Sequence, residues 1–182
     1  SSKRRLEGVK VEESILEINK CNKDVNENKE HLYHHSVNSD ENGNIYVPTF
    51  LSSKPDTSQR KLPNFRDDGF AVLNKKLEVV KSYSLSDIYK RHNMFNDLFS
   101  LGQYSNDPFH LNDVQPFIRE DGKTIVFLSI RNQSSIVAFD LETEKIIWNI
   151  KGLTRHQHDV DVQSSTNNTV DISVFDNNMI QL

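Results

Sequence analysis

Two kinds of β-hairpin alternate along this chain, and this alternation constrains the fold more than any other feature. The first kind begins at a His, runs as a strand to an acidic or Asn/Gly turn, and returns as a second strand; it starts at His35, His110 and His158. The second kind lacks the His and has a charged turn between its strands; it occurs near Ile15, from Gly69 and from Ser135. Two consecutive hairpins supply the four antiparallel strands of one sheet, so we predict a series of such sheets.

Turn and cap signals place the strands and one short helix. Asp40-Glu-Asn-Gly43 predicts a hairpin turn before the strand Asn44–Phe50. Ser84 or Ser86 is expected to cap a helix that runs through Arg91, because a Ser side chain accepts a hydrogen bond from an orphan N–H. The remaining polar runs are predicted to be loops, one ending at Glu30 and one covering Ser52–Asp67.

This pattern predicts an all-β protein, and we favour a β-propeller over a β-sandwich. The His recurs at the same place in its hairpin, and the innermost strands of a propeller point at a shared axis. At about 40–50 residues per blade, residues 1–182 hold about three blades of one propeller domain, with residues 1–12 as a disordered or extended start. Closed propellers have about four to eight blades, so we expect a longer functional molecule or several copies of the chain in a homo-oligomer. The predicted inner hairpins are Tyr33–Phe50, Asn112–Ile130 and His158–Phe175.

Composition excludes several classes of function. The net charge is −4 and the sequence pI is about 6.0, which argues against nucleic-acid binding. No apolar run is as long as the roughly 18 residues that a membrane-spanning helix needs, so no membrane segment is expected. There is no signal peptide, but the chain begins with Ser1, so we interpret it as a mature form or a fragment. The single Cys21 excludes an internal disulfide and a Cys-based zinc site.

The residues that could carry chemistry gather at predicted strand ends. His110 and Asn112 stand two apart on a predicted strand, so both side chains are expected on one face. Arg131 ends the return strand of that hairpin, while His158 and His35 start the neighbouring inner hairpins. A guanidinium is a planar fork of donors that suits oxyanions, and an imidazole can act as nucleophile or proton carrier near neutral pH. These residues therefore predict an anion-binding site at one end of the axis.

A His in a strand is more often an ordinary surface or hydrogen-bonded residue, and we leave His31 and His92 in that class. The pairs His34-His35 and His156-Gln-His158 offer metal-ligand types, but no third and fourth ligands are clearly spaced with them. No metal site and no cofactor is therefore expected.

Five motifs in order resemble those of the bacterial arylsulfotransferases, from about Ser14 to Asn177. They are HH-x-V-x-x-D-x-x-G-N-I-x-V, H-x-N, S-x-R-x-x-S, Q-H-D and a closing V-F-D-N. The resemblance implies a six-bladed β-propeller in the periplasm or secreted. It implies transfer of a sulfuryl group from a phenolic sulfate ester to a phenol, without a nucleotide sulfate donor, in a ping-pong cycle that transiently sulfurylates a His.

The site residues follow from the motifs, position by position. His158 in Gln-His-Asp corresponds to the sulfurylated His, and His110 and Asn112 fall on the H-x-N pair. Arg131 falls on the Arg that follows, and we assign the upstream His to His35 rather than to its neighbour. In this scheme His110 protonates the leaving phenolate, and the other donors stabilise charge on the sulfuryl oxygens.

The chain departs from the family at Asp113, where the family more often has Ser. A carboxylate beside a sulfate site is repulsive unless it faces away, which strand alternation allows. The long segments Ser52–Asp67 and Lys81–Asn106 are further departures, and they bear on the substrate class more than on the fold. The alternative function is a non-catalytic propeller that serves as a binding or scaffold protein, since one fold hosts many functions.

Overall fold

The structure is a computed structural model that describes residues 15–18, 25–28, 32–51, 65–99, 106–166 and 169–179. The start predicted for residues 1–12 lies outside these ranges, as do Cys21, His31 and most of the loop predicted over Ser52–Asp67. Within them the strands are β1 (Ile15–Ile18), β2 (Val25–Asn28), β3 (Leu32–Tyr33), β4 (Asn38–Ser39), β5 (Ile45–Leu51), β6 (Asp67–Leu73), β7 (Val79–Ser84), β8 (Leu111–Ile118), β9 (Thr124–Ile130), β10 (Ser135–Asp140), β11 (Lys145–Lys151), β12 (His158–Ser165) and β13 (Val170–Phe175). The α-helix α1 spans Leu85–Arg91, and short 3₁₀ helices span Phe95–Phe99 and Arg131–Gln133.

Every strand pair in the described residues is antiparallel, and all but the pair β3–β5 join strands that are consecutive in sequence, as the hairpin pattern predicts. The first sheet has the order β3/β4-β5-β6-β7, because β3 and β4 pair with opposite ends of β5. The second sheet has the order β8-β9-β10-β11, and β12 and β13 form a third, two-stranded sheet. The strands β1 and β2 pair with each other in a separate two-stranded sheet. The protein is all-β, as predicted. The closure of these sheets into a propeller stays a prediction.

One loop prediction is wrong. The polar run to Glu30 contains β2, which pairs with β1 from Ile15 opposite Asn28 to Ile18 opposite Val25. Asn and Glu have weak strand propensity, so this run carries almost no strand signal of its own. The backbone pairing with β1 decides its conformation.

The helix α1 begins where the cap signal placed it. Ser84 is the N-cap, and its Oγ accepts a hydrogen bond from the backbone N–H of Asp87 at 3.1 Å. The carboxylate of Asp67 on β6 accepts hydrogen bonds from the hydroxyls of Ser84 and Ser86, which fastens the helix start to the first sheet. Of the two Ser residues considered, Ser84 is therefore the cap.

The sheets pack face to face in chain order. Phe70 of the first sheet is buried with Leu128 and Phe139 of the second sheet in one large apolar cluster. On the other face of the second sheet, Phe127 is buried with Val160 of the third sheet. This packing sets the leading strands of the three sheets, β4, β8 and β12, side by side.

Asp113 ties these three leading strands together. Its Oδ1 accepts a hydrogen bond from Asn38 Nδ2 on β4 at 2.7 Å, and its Oδ2 accepts one from the backbone N–H of Val160 on β12 at 2.9 Å. The residue is 3% exposed, so its carboxylate is satisfied by neighbouring strands rather than by water. The Asp at this position, where the motif that the chain resembles more often has Ser, therefore lies at a junction between sheets.

Candidate active site

Four imidazoles meet at the start of the leading strands. The ring centroids of His35 and His110 are 5.0 Å apart, and those of His35 and His158 are 6.5 Å apart. His34 lies behind His35, with 2.6 Å between their Nδ1 atoms. Three sheets thus each contribute a His to one cluster, and His35 rather than His34 contacts the His of both other sheets.

The backbone turns sharply at two of these histidines. His35 has φ 60° and His110 has φ 52°, both in the left-handed region that residues other than glycine seldom adopt. His110 precedes β8, and the pairing of β8 with β9 shifts between Leu111 and Asp113. The expectation that His110 and Asn112 share one strand face is therefore wrong, because a left-handed residue and a bulge re-aim the side chains.

Asn112 holds the segment that carries His158. Its Nδ2 donates to the backbone carbonyl of Gln157 at 2.8 Å, and the Asn112 side chain is buried, with the residue 3% exposed. Gln157 is itself 0% exposed and donates from Nε2 to the carbonyl of Ser135 at 2.9 Å. Asn112 therefore reaches the cluster through the backbone next to His158. Within the described residues, its buried Oδ1 accepts no hydrogen bond.

Two further contacts orient the imidazoles. Nδ1 of His110 lies 2.6 Å from Oδ2 of Asp107, and the same oxygen accepts a hydrogen bond from Nη2 of Arg66 at 2.8 Å. Nδ1 of His158 lies 2.9 Å from Nδ2 of Asn177, in the turn that follows β13. Each of these two imidazoles thus has one ring nitrogen held by the protein.

Arg131 follows β9 and is half-buried. Its backbone N–H donates to the carbonyl of His110 at 3.2 Å, and its Nη1 donates to Oδ1 of Asn132 at 2.8 Å. Its positive charge acts on the imidazoles of His156 and His158. The guanidinium therefore belongs electrostatically to the His158 side of the cluster.

The family comparison bears on what this cluster does. Residues 10–181 match the family model described as arylsulfotransferase (ASST). The chain belongs to the arylsulfotransferase family. Comparisons with curated proteins and with solved structures gave no match. The match covers nearly all of the 182 residues given, and it includes every residue of the imidazole cluster.

In the arylsulfotransferase cluster, burial and nearby positive groups favour the neutral form of three imidazoles, those of His34, His35 and His158. Burial, followed by the neighbouring His and Arg66, lowers the pKa of His34 to about 3, and similar causes lower the pKa of His35 to about 4. Burial, then Arg131, then His110 lowers the pKa of His158 below its ordinary value. A neutral imidazole keeps a lone pair for attack, and the guanidinium groups attract anions.

Sequence reasoning missed three residues of this cluster: Arg66, Asp107 and Asn177. Asp107 stands three residues before His110, a spacing at which a carboxylate in a turn can reach the imidazole. Asn177 closes the V-F-D-N motif, which was recognised without a role. Arg66 lies far from both in sequence and gave no signal.

Other kinds of site have no support in the part of the chain that the structure describes. No group of three or more His, Cys, Asp or Glu residues there could hold a metal ion. None of the helices described is long and apolar enough to cross a membrane. A cavity of about 500 Å³ is lined by residues of the β8–β9 and β12–β13 turns, including Arg119 and Thr166, at the opposite ends of these hairpins from the imidazoles.

Proposed function

We propose that this protein is an enzyme that takes a sulfuryl group from a phenolic sulfate ester and passes it to a second phenol through a sulfurylated His158. The meeting of His35, His110 and His158 from three successive sheets, with Arg131 acting on His158, carries the proposal. Membership of the arylsulfotransferase family supports aryl compounds as the substrates.

In the first half-reaction, the neutral imidazole of His158 attacks the sulfur of the aryl sulfate. A nitrogen–sulfur bond forms as the bond between sulfur and the phenolic oxygen breaks, and the departing oxygen takes a proton from the His110 imidazolium. Negative charge spreads over the sulfuryl oxygens in the transition state. Arg131 and His35 are the donors we assign to those oxygens, because preorganised donors lower such a barrier.

In the second half-reaction, an acceptor phenol occupies the place of the first. His110, now neutral, takes the phenolic proton while the phenolic oxygen attacks the sulfur. The nitrogen–sulfur bond breaks and both imidazoles return to their starting states. Protons and sulfuryl groups balance over the cycle without a nucleotide sulfate donor or a cofactor.

Asn112 acts indirectly in this scheme. Its amide fixes the Gln157 carbonyl, so it sets the position of the backbone next to His158 and does not contact the reacting atoms. We further propose that the three sheets are successive propeller blades. Their leading strands β4, β8 and β12 would then line the axis, which agrees with the side-by-side packing of these strands.

The decisive experiment is covalent trapping. The full chain is incubated with a chromogenic aryl sulfate alone, and mass spectrometry is used to find one added sulfuryl group on the peptide that contains His158. The label and the turnover with a phenol acceptor should both disappear in His158→Ala and persist in His92→Gln, since His92 packs against α1 and β11. A fully active His158→Ala protein, or a label on another residue, rejects the assignment. Absence of both label and turnover in the unmodified protein favours a propeller that only binds.

A further inference from the structure

We propose that Asp107 is a positioning residue that keeps a proton on Nδ1 of His110, and that Arg66 holds Asp107 in place for this task. The proposal rests on the function proposed above and assigns roles to two residues outside the motif set. It determines which ring nitrogen of His110 exchanges a proton with the substrate.

The geometry leaves one direction for the hydrogen bond between Asp107 and His110. Oδ2 of Asp107 receives Nη2 of Arg66 at 2.8 Å and lies 2.6 Å from Nδ1 of His110. Burial acts to raise the pKa of Asp107, but the His110 hydrogen bond and the Arg66 charge outweigh it, so the pKa lies below its ordinary value. An ionised carboxylate only accepts hydrogen bonds, so Nδ1 of His110 is the donor.

Because Nδ1 of His110 donates to Asp107, Nε2 is the ring nitrogen that exchanges a proton with the substrate. With Nδ1 protonated throughout, Nε2 gives its proton to the leaving phenolate in the first half-reaction and takes one from the acceptor phenol in the second. Without a fixed acceptor, the neutral ring can instead carry its proton on Nε2, where no lone pair remains to receive the phenolic proton. Asp107 therefore acts on proton transfer through His110 without touching the substrate.

Arg66 is held from several sides, which makes it a rigid support. Its guanidinium carbon lies 4.0 Å from the ring centroid of Phe50, and that ring stacks on His34 with 4.0 Å between centroids. Its Nε lies 3.4 Å from Oδ1 of buried Asp68, and its backbone N–H donates to the carbonyl of Asn106 at 2.7 Å. The first sheet thereby fixes the turn that orients His110 of the second.

The carbonyl of Asp107 is also fixed, because Nδ2 of Asn132 donates to it at 2.7 Å. Asn132 directly follows Arg131, so this contact joins the two turns at the end of the β8–β9 hairpin. The backbone at Asp107 is therefore held by hydrogen bonds on both sides, at the Asn106 and Asp107 carbonyls. A fixed backbone lets the Asp107 carboxylate hold the His110 ring in one orientation.

The first test compares Asp107→Asn with Asp121→Asn, a matched change in the exposed β8–β9 turn. The amide introduced by Asp107→Asn can donate to Nδ1 and so shift the His110 proton to Nε2. With an aryl sulfate of high leaving-group pKa, kcat/KM for that donor, which reports only the first half-reaction of a ping-pong cycle, should fall on the order of 100-fold in Asp107→Asn, the lower range of general acid–base contributions. With a nitrophenyl sulfate the loss should be only a few-fold, and the sulfuryl label on His158 should persist. An equal loss with both substrates overturns the proposal.

The second test is independent of activity. Nitrogen-15 NMR of the full chain, with His110→Gln to assign the signals, should show neutral His110 protonated on Nδ1 in the unmodified protein. Nε2 protonation there overturns the proposal, even when Asp107→Asn fails to fold. If the NMR result is as expected but His158 is never labelled, the proposed function fails and the positioning of His110 stands.

Discussion

Nδ2 of Asn177 lies 2.9 Å from Nδ1 of His158, and this amide nitrogen also donates a hydrogen bond to the carbonyl of His156 at 2.5 Å. An amide nitrogen only donates, so His158 Nδ1 accepts, and neutral His158 carries its proton on Nε2. If the proposed attack on sulfur uses Nε2, it needs the opposite tautomer, with the proton on Nδ1. The Asn177 amide would then have to turn over, which presents Oδ1 to Nδ1 and breaks its hydrogen bond to the His156 carbonyl.

This relationship predicts opposite effects of two substitutions at Asn177. Asn177→Asp offers only acceptors, so at saturating aryl sulfate the rate of His158 labelling should be kept or raised, while the new charge raises KM. Asn177→Ala offers neither a hydrogen-bond donor nor an acceptor to Nδ1 of His158, so it should slow the sulfuryl labelling of His158. Single-turnover labelling followed by mass spectrometry measures both rates.

Asn178→Asp is the matched control, since it adds the same charge at the next, exposed residue. It should raise KM less and leave the labelling rate at saturation unchanged. Loss of labelling in Asn177→Asp together with full labelling in Asn177→Ala contradicts attack through Nε2.

Arg131 should control the acid limb of the reaction. In the proposed reaction His158 attacks as the neutral imidazole, so labelling should rise with pH through its pKa, which burial, Arg131 and His110 place below the ordinary value of 6.5. Arg131→Gln removes one of these causes, so the midpoint should move up toward that value. The plateau rate should also fall on the order of 100-fold, as when one transition-state donor is removed.

The measurement is the single-turnover labelling rate across the acidic range, with Arg119→Gln as control because Arg119 lies in the β8–β9 turn. An unchanged midpoint in Arg131→Gln would show that its charge does not act on His158.

His110→Ala should discriminate between leaving groups. A general acid contributes on the order of 100-fold or more when the departing oxygen is basic, and little when a nitrophenolate leaves unaided. We therefore expect the slope of log kcat/KM against leaving-group pKa to become steeper in the variant. Parallel lines for the two proteins would remove His110 from proton transfer.

Asp113→Ala should destabilise the fold. It removes one of the two acceptors of the Asn38 amide and leaves the buried Val160 N–H without its acceptor, and the unsatisfied N–H alone costs about 1–3 kcal/mol. Asp113→Ser keeps one acceptor and should cost less. Urea unfolding followed by fluorescence of Trp148, the single Trp, measures the free energy of unfolding. Asp161→Ala on the exposed side of β12 is the control, and an equal effect of both Ala variants would contradict the junction role.

The predictions that succeeded rest on local signals. The turn at Asp40–Gly43 joins β4 to β5, and Ser84 caps α1, because a turn or cap is decided by residues within a few positions. The loop predicted up to Glu30 was wrong at Val25–Asn28, because this run has little strand propensity of its own and forms a strand by pairing with β1. The shared face expected for His110 and Asn112 failed because a period of two holds only inside an unbroken strand.

The sequence by itself determined that the chain is all-β and that His35, His110 and His158 each start a hairpin, since alternation and turn residues are local properties. Only the tertiary structure decided that the His35 ring lies 5.0 Å from the ring of His110 and 6.5 Å from that of His158, that Asn177 contacts His158, and that Arg66 holds Asp107. Arg66 and Asp107 are 41 positions apart. Their ion pair exists because the first and second sheets pack face to face around a shared apolar core, and no pattern within either segment encodes that contact.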